Sequence, residues 1–188
     1  MNKRFSARFL CLTALGAGLN VVCAFAAMFL RLPIYMDSVG TILVTALLGP
    51  KYGMMAGLMG SFLSGLTFDV YSFYYAPVQI LTAAMAGLVM KSKWGHGWRM
   101  ILSGILVSLP TSLVSAVITA LVFGGQTSSA SSYLVVLLHN MGLNLTICCF
   151  LVQIFTDYLD KLAAMTFTHL ALKKGVCRIY GTLQPNHQ

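Results

Sequence analysis

The sequence predicts an all-α integral membrane protein with six transmembrane helices and both termini in the cytoplasm. Composition, the lengths of the charge-free runs and the placement of the basic residues carry this prediction. Of 188 residues, 58% are hydrophobic and only 9% are charged, against about 25% charged in soluble domains. So few polar side chains cannot cover a soluble globule. The formal charge of +8 does not point to nucleic acid, because the basic residues sit in short tracts between apolar runs and form no extended face for a phosphate backbone.

Charged positions punctuate the chain. Residues 9–30 carry no charge, nor do 38–50, 52–68, 70–90 and 100–156. The last stretch is broken at its middle by Gly124-Gly125-Gln126-Thr127-Ser128-Ser129-Ala130-Ser131-Ser132, small and polar and therefore read as a loop. A bilayer-crossing helix needs about 20 residues. The expected spans are about 9–30, 33–49, 52–68, 76–91, 100–123 and 133–156, in a domain over 1–165 followed by a cytoplasmic tail over 166–188. With the N-terminus inside, Lys3, Arg4, Arg8, Lys51, Lys91, Lys93, Arg99, Lys161, Lys173, Lys174 and Arg178 all fall on the cytoplasmic side and Arg31 alone falls outside, as basic residues distribute in cell-membrane proteins. Ala24-Phe25-Ala26 resembles a signal-peptidase site, but the apolar run continues past it to Leu30, so it is read as a span. The five cysteines are odd in number and form no CxxC pair, which indicates neither a disulfide framework nor a zinc site.

Spans 2 and 3 are short. With Pro33 able to open a helix at its first turn, the segments 31–37 and 68–77 are expected at the rim of a concave outer surface, where irregular backbone can sit against a cavity. The alternative is a thinned bilayer contact with an ordinary aromatic belt. Intramembrane polar residues favour the cavity. Asn20, Gln79, His139, Asn140 and Asn144 all fall at the midplane or in the outer half, with Asn140 and Asn144 on one face of span 6. Such groups usually face a bundle interior or a cavity, although pairing between helices is the commoner role of each alone. Tyr35, Tyr71, Tyr74 and Tyr75 supply an aromatic rim, and Asp37 and Asp69 lie beside it, where either could instead cap a helix end. Small residues recur four apart at Ala14 and Gly18, and at Gly53, Gly57, Gly60 and Ser64. That spacing permits close helix approach, within the bundle or against another subunit. No GxxxxGK[ST], HExxH or GxSxG motif occurs, so the chain has neither a phosphate-binding loop nor a common hydrolase signature.

The run Leu32-Pro33-Ile34-Tyr35-Met36-Asp37-Ser38-Val39-Gly40-Thr41, followed by Leu48-Gly49-Pro50-Lys51-Tyr52-Gly53-Met54-Met55-Ala56-Gly57, resembles substrate-binding S components of energy-coupling factor (ECF) vitamin transporters. The resemblance covers roughly residues 6–165 and is most specific over 32–57. It implies a micronutrient-binding subunit, without catalytic residues or cofactors of its own. Its partners would be a transmembrane coupling subunit, two cytoplasmic ATPases and the lipid bilayer. By that resemblance Ala14 and Gly18 would dock the coupling subunit, with Gly in place of the second small Ala of the family's motif. The opening of span 2 is most similar to cobalamin-specific members, although the aromatic rim would equally suit a flavin, a pterin or a modified purine. Competing expectations are a membrane enzyme using His139 with Asp69 or Asp37, and a structural membrane protein without a ligand.

Overall fold

The computed structural model describes residues 7–91 and 99–173. Lys3, Arg4, Lys93, Lys174, Arg178 and Cys177 lie outside the described residues. Every regular element among the described residues is helical: α1 (Ala7–Phe29), α2 (Val39–Leu48), α3 (Pro50–Thr67), α4 (Tyr71–Tyr74), α5 (Ala76–Lys91), α6 (Arg99–Phe123), α7 (Ser131–Asn140) and α8 (Leu145–Ala171). α1 and residues Ile101–Phe123 of α6 are long and apolar enough to cross a membrane, while Val39–Leu48 and Ala76–Met90 are apolar but shorter. Leu15, Phe29, Leu66 and Leu121 are each at least 70% exposed. Such greasy outer faces suit lipid or a partner better than water.

Two helical groups meet along α2. In one, α3 packs against α1, α2 and α5; in the other, α6 packs along α8, and α8 also contacts α2. The first group depends on missing side chains. A Cβ on Gly40 would sit 1.9 Å from the Gly16 carbonyl oxygen, and one on Gly16 would sit 2.3 Å from Val44 Cγ2, so α1 and α2 touch backbone to backbone. Along α3, a Cβ on Gly53 would meet Thr45 Oγ1 at 1.9 Å and one on Gly57 would meet Gln79 Cβ at 2.9 Å. The small ridge of α3 is therefore an internal seam. α2 and α3 are joined by Gly49 alone, at φ 96°, a left-handed conformation that glycine adopts without steric cost. Pro50 then opens α3, two residues before the expected start of the span at 52.

The largest departure from expectation is the last span. In place of one helix over 133–156, α7 ends at Asn140 and α8 begins at Leu145. Gly142, at φ 94°, reverses the chain, and the Asn144 side chain accepts from the Thr146 backbone N–H at 2.9 Å, capping α8 at its start. α8 then runs on through Asp157, Asp160 and Lys161 and past residue 165 to Ala171. Charge does not end this helix because the charged side chains turn into the protein, as described next.

Candidate functional site

Three of the irregular connections among the described residues converge on one chamber. Tyr35 and Asp37 reach it from the segment between α1 and α2, Asp69 from the end of α3, and Tyr75 from the start of α5. Ser115 of α6 forms part of its wall, and Gln153, Asp157, Asp160 and Lys161 of α8 complete it. Thr127, Ser128, Ser129 and Ser131 close one side; the same α6–α7 segment also lines an outer cleft with Met28 and Arg31. The space between these walls is about 80 Å³. At roughly 10–15 Å³ per water by this measure, it holds several waters or a small solute.

The chain contains four acidic residues in total, and all four, Asp37, Asp69, Asp157 and Asp160, line this chamber. Lys161 is the one basic residue among its walls. Its Nζ lies 2.7 Å from Asp160 Oδ2, and Ser38 Oγ donates to the same oxygen at 2.8 Å. Asp160 Oδ1 has no hydrogen-bond partner, nor have Asp157 Oδ2 and Gln153 Oε1. A buried polar atom left unpaired costs about 1–3 kcal/mol. Three of them in one wall are an unmet demand for donors.

Several other wall groups are anchored from behind. Asp69 accepts from the Tyr35 hydroxyl, from Ser72 Oγ at 2.8 Å and from the Tyr71 backbone N–H at 3.2 Å. Thr119 Oγ1 donates to the Ser115 carbonyl at 2.9 Å and accepts from Gln153 Nε2, and the Tyr75 hydroxyl bonds the same atom. Beneath the chamber, Asn20 Oδ1 accepts from the Gly40 N–H at 2.6 Å and the Thr41 N–H at 3.2 Å, satisfying donors of the first turn of α2 that lack helical partners. Asn20 Nδ2 donates to Thr41 Oγ1 at 2.7 Å, Thr41 Oγ1 donates to Gln79 Oε1 at 2.9 Å, and Gln79 Nε2 donates to the Asp37 carbonyl at 3.2 Å. This chain of bonds links α1, α2 and α5 and holds Asp37 in place.

Of the residues expected from sequence, the structure brings Tyr35, Asp37, Asp69 and Tyr75 together. Asn20 and Gln79 are buried supports that do not line the chamber. Tyr71 and Tyr74 pack on Phe123, with ring centroids 4.7 and 5.0 Å away. His139, Asn140 and Asn144 are exposed and stand on the α7–α8 turn, away from the chamber walls. They do not share a helix face, because the helix is broken between them. Ala14 is exposed, and Gly18 is half-buried with open space where a Cβ would be. Sequence patterning did not single out Asp157, Asp160 and Lys161. Lys161, expected on the cytoplasmic side, is only 3% exposed and faces Asp160. The overlooked signal is their spacing, since positions 153, 157, 160 and 161 fall on one side of a helix. Among the described residues, no group of three or more His, Cys or Asp side chains is arranged to hold a metal ion.

Compared with known proteins, the chain matches no family model, no curated protein and no solved structure.

Proposed function

We propose that this chain is a multi-pass membrane subunit that captures a small water-soluble solute in the acid-lined chamber and delivers it inward with the help of an ATP-hydrolysing partner. One observation carries the reading. A chain otherwise poor in charge gathers all four of its acidic side chains around one cavity. Ionisable groups inside apolar helical bundles are costly and by default mark a solute or ion path. The connections 30–38, 68–75 and 124–130 that build the chamber are those that the distribution of Lys and Arg assigns to the outer face. On this reading six helices, α1, α2, α3, α5, α6 and α8, form the membrane bundle, and the chamber opens outward.

The resemblance of residues 32–57 to ECF-type S components supports the same role. It implies a coupling subunit docking on the exposed Ala14–Gly18 face of α1 and two cytoplasmic ATPases. A space of about 80 Å³ favours a solute much smaller than cobalamin within the micronutrient class. His139 does not line the chamber with Asp37 and Asp69 and bonds the Leu143 carbonyl at 3.0 Å, so we favour solute capture over an enzyme built on that pairing.

The test is purification of the chain from its own membranes, followed by uptake in proteoliposomes. A nucleotide-hydrolysing partner should co-purify, and uptake should require ATP inside the vesicle. Uptake by the chain alone, driven by an ion gradient without ATP, would make it a secondary transporter instead.

A further inference from the structure

Taking the chamber as the solute site, we infer that it selects a cationic hydrogen-bond donor of the ammonium, amidinium or guanidinium class. The first ground is charge. Four carboxyls face one ammonium, and that ammonium is already engaged by Asp160 at 2.7 Å. An anionic solute would meet like charge at short range in a medium that screens poorly, which is costly. A cation supplies what burial of these carboxylates otherwise lacks.

The second ground is the identity of the unpaired atoms. Asp160 Oδ1, Asp157 Oδ2 and Gln153 Oε1 have no partner, and Asp160 and Gln153 are 4% and 8% exposed. All three atoms are acceptors. The orientation of the Gln153 amide follows from its neighbour. Thr119 Oγ1 spends its proton on the Ser115 carbonyl and so takes Gln153 Nε2 as a donor, leaving the oxygen free. The three unpaired atoms on α8 thus call for donors, and an acceptor-rich solute would leave all three unsatisfied.

The third ground is spacing. Residues 153, 157 and 160 are four and three apart on one helix, hence on one face, and seven residues span about 10 Å of axis. A planar amidinium or a compact ammonium can bridge the two carboxylates, and a further N–H can reach toward Gln153.

The experiment uses the full chain in lipid nanodiscs and three probes of nearly one size and shape: benzamidine, benzamide and benzoate, followed by thermal unfolding and calorimetry. Agmatine serves as an aliphatic cation. Saturable binding of benzamidine or agmatine is expected, with no binding of benzamide or benzoate. Asp157→Asn and Asp160→Asn should each weaken the cation by roughly tenfold to a hundredfold, as for a charged hydrogen bond lost. Asp160→Asn also disturbs Lys161, so Asp157→Asn, whose unpaired oxygen serves no other group, decides if the first variant fails to fold. Binding of benzamide or benzoate as tight as benzamidine, cation binding unchanged in Asp157→Asn, or no cation binding at all would each overturn the inference. Absent cation binding with ATP-dependent uptake intact would remove the cation assignment and leave the transport reading. Cation binding without any ATP-hydrolysing partner would do the reverse.

Discussion

Asp160 spends one carboxylate oxygen on Ser38 and Lys161 and keeps the other free. Removing one member of such a pair leaves its partner charged and buried, which costs about 3–5 kcal/mol. Lys161→Met should therefore lower the unfolding temperature sharply in thermal melts, and adding Asp160→Asn should restore part of the loss. A double variant no more stable than Lys161→Met alone would show that the pair is not coupled. Glycines divide in the same way. Gly40→Ala would place a Cβ 1.9 Å from a backbone oxygen and should cost at least the 1–3 kcal/mol typical of overpacking. Gly18→Ala meets open space and should leave the melt unchanged or raise it slightly, since alanine favours the helix interior. At this scale the sequence was only partly legible. Tyr35, Asp37, Asp69 and Tyr75 stood out because they border apolar runs. Asn20 and Gln79 are equally polar and equally intramembrane in pattern, but they hydrogen-bond to other helices, and pattern alone cannot say which groups a polar side chain meets.

Among the elements, α8 illustrates why charge is an imperfect marker of helix ends. An uncharged run of helical length before Asp157 suggested a span ending at 156. The structure breaks that run at Met141–Asn144 and carries the helix through Asp157, Asp160 and Lys161, of which Asp160 and Lys161 pair. The cues for the break, Gly142 and Asn144, are visible in the sequence, but each also fits a packed membrane helix, and the pattern places Asn144 among the cavity-facing polar groups. Its cap bond to Thr146 gives it a different test. Asn144→Ala should destabilise by about 0.5–2 kcal/mol, the usual cost of a lost cap, and should leave benzamidine binding unchanged in calorimetry. Lost binding with an unchanged melt would return Asn144 to the site. By contrast, α1, α3, α5 and α6 begin and end within a few residues of their expected bounds, because long apolar runs between charges leave the chain little choice.

For the whole molecule, the sidedness of the bundle is the decisive expectation. In a cysteine-free background, single cysteines at Val70 and Gln126, both exposed, should react with a membrane-impermeant thiol reagent added outside. One at Lys51, also exposed, should react only after permeabilisation. External labelling at position 51 would reject the six-span arrangement. The asymmetry of basic residues was readable from sequence. The chamber was not, because it is assembled from five separate stretches of chain, and no local pattern states which of them meet.

The single-residue link at Gly49 bears on how the protein is made. α2 has 10 residues and extends about 15 Å at 1.5 Å per residue, half of a hydrocarbon core about 30 Å thick. It is too short to cross on its own and too tightly tied to α3 to wait apart from it. On the six-span reading α2 and α3 enter the bilayer together, with the Gly49 link left on the cytoplasmic side. The pair carries Gly40 and Thr41, whose backbone N–H groups donate to Asn20 of α1. α1 precedes the pair in the chain, so the Asn20 side chain that receives those backbone donors is made before they are.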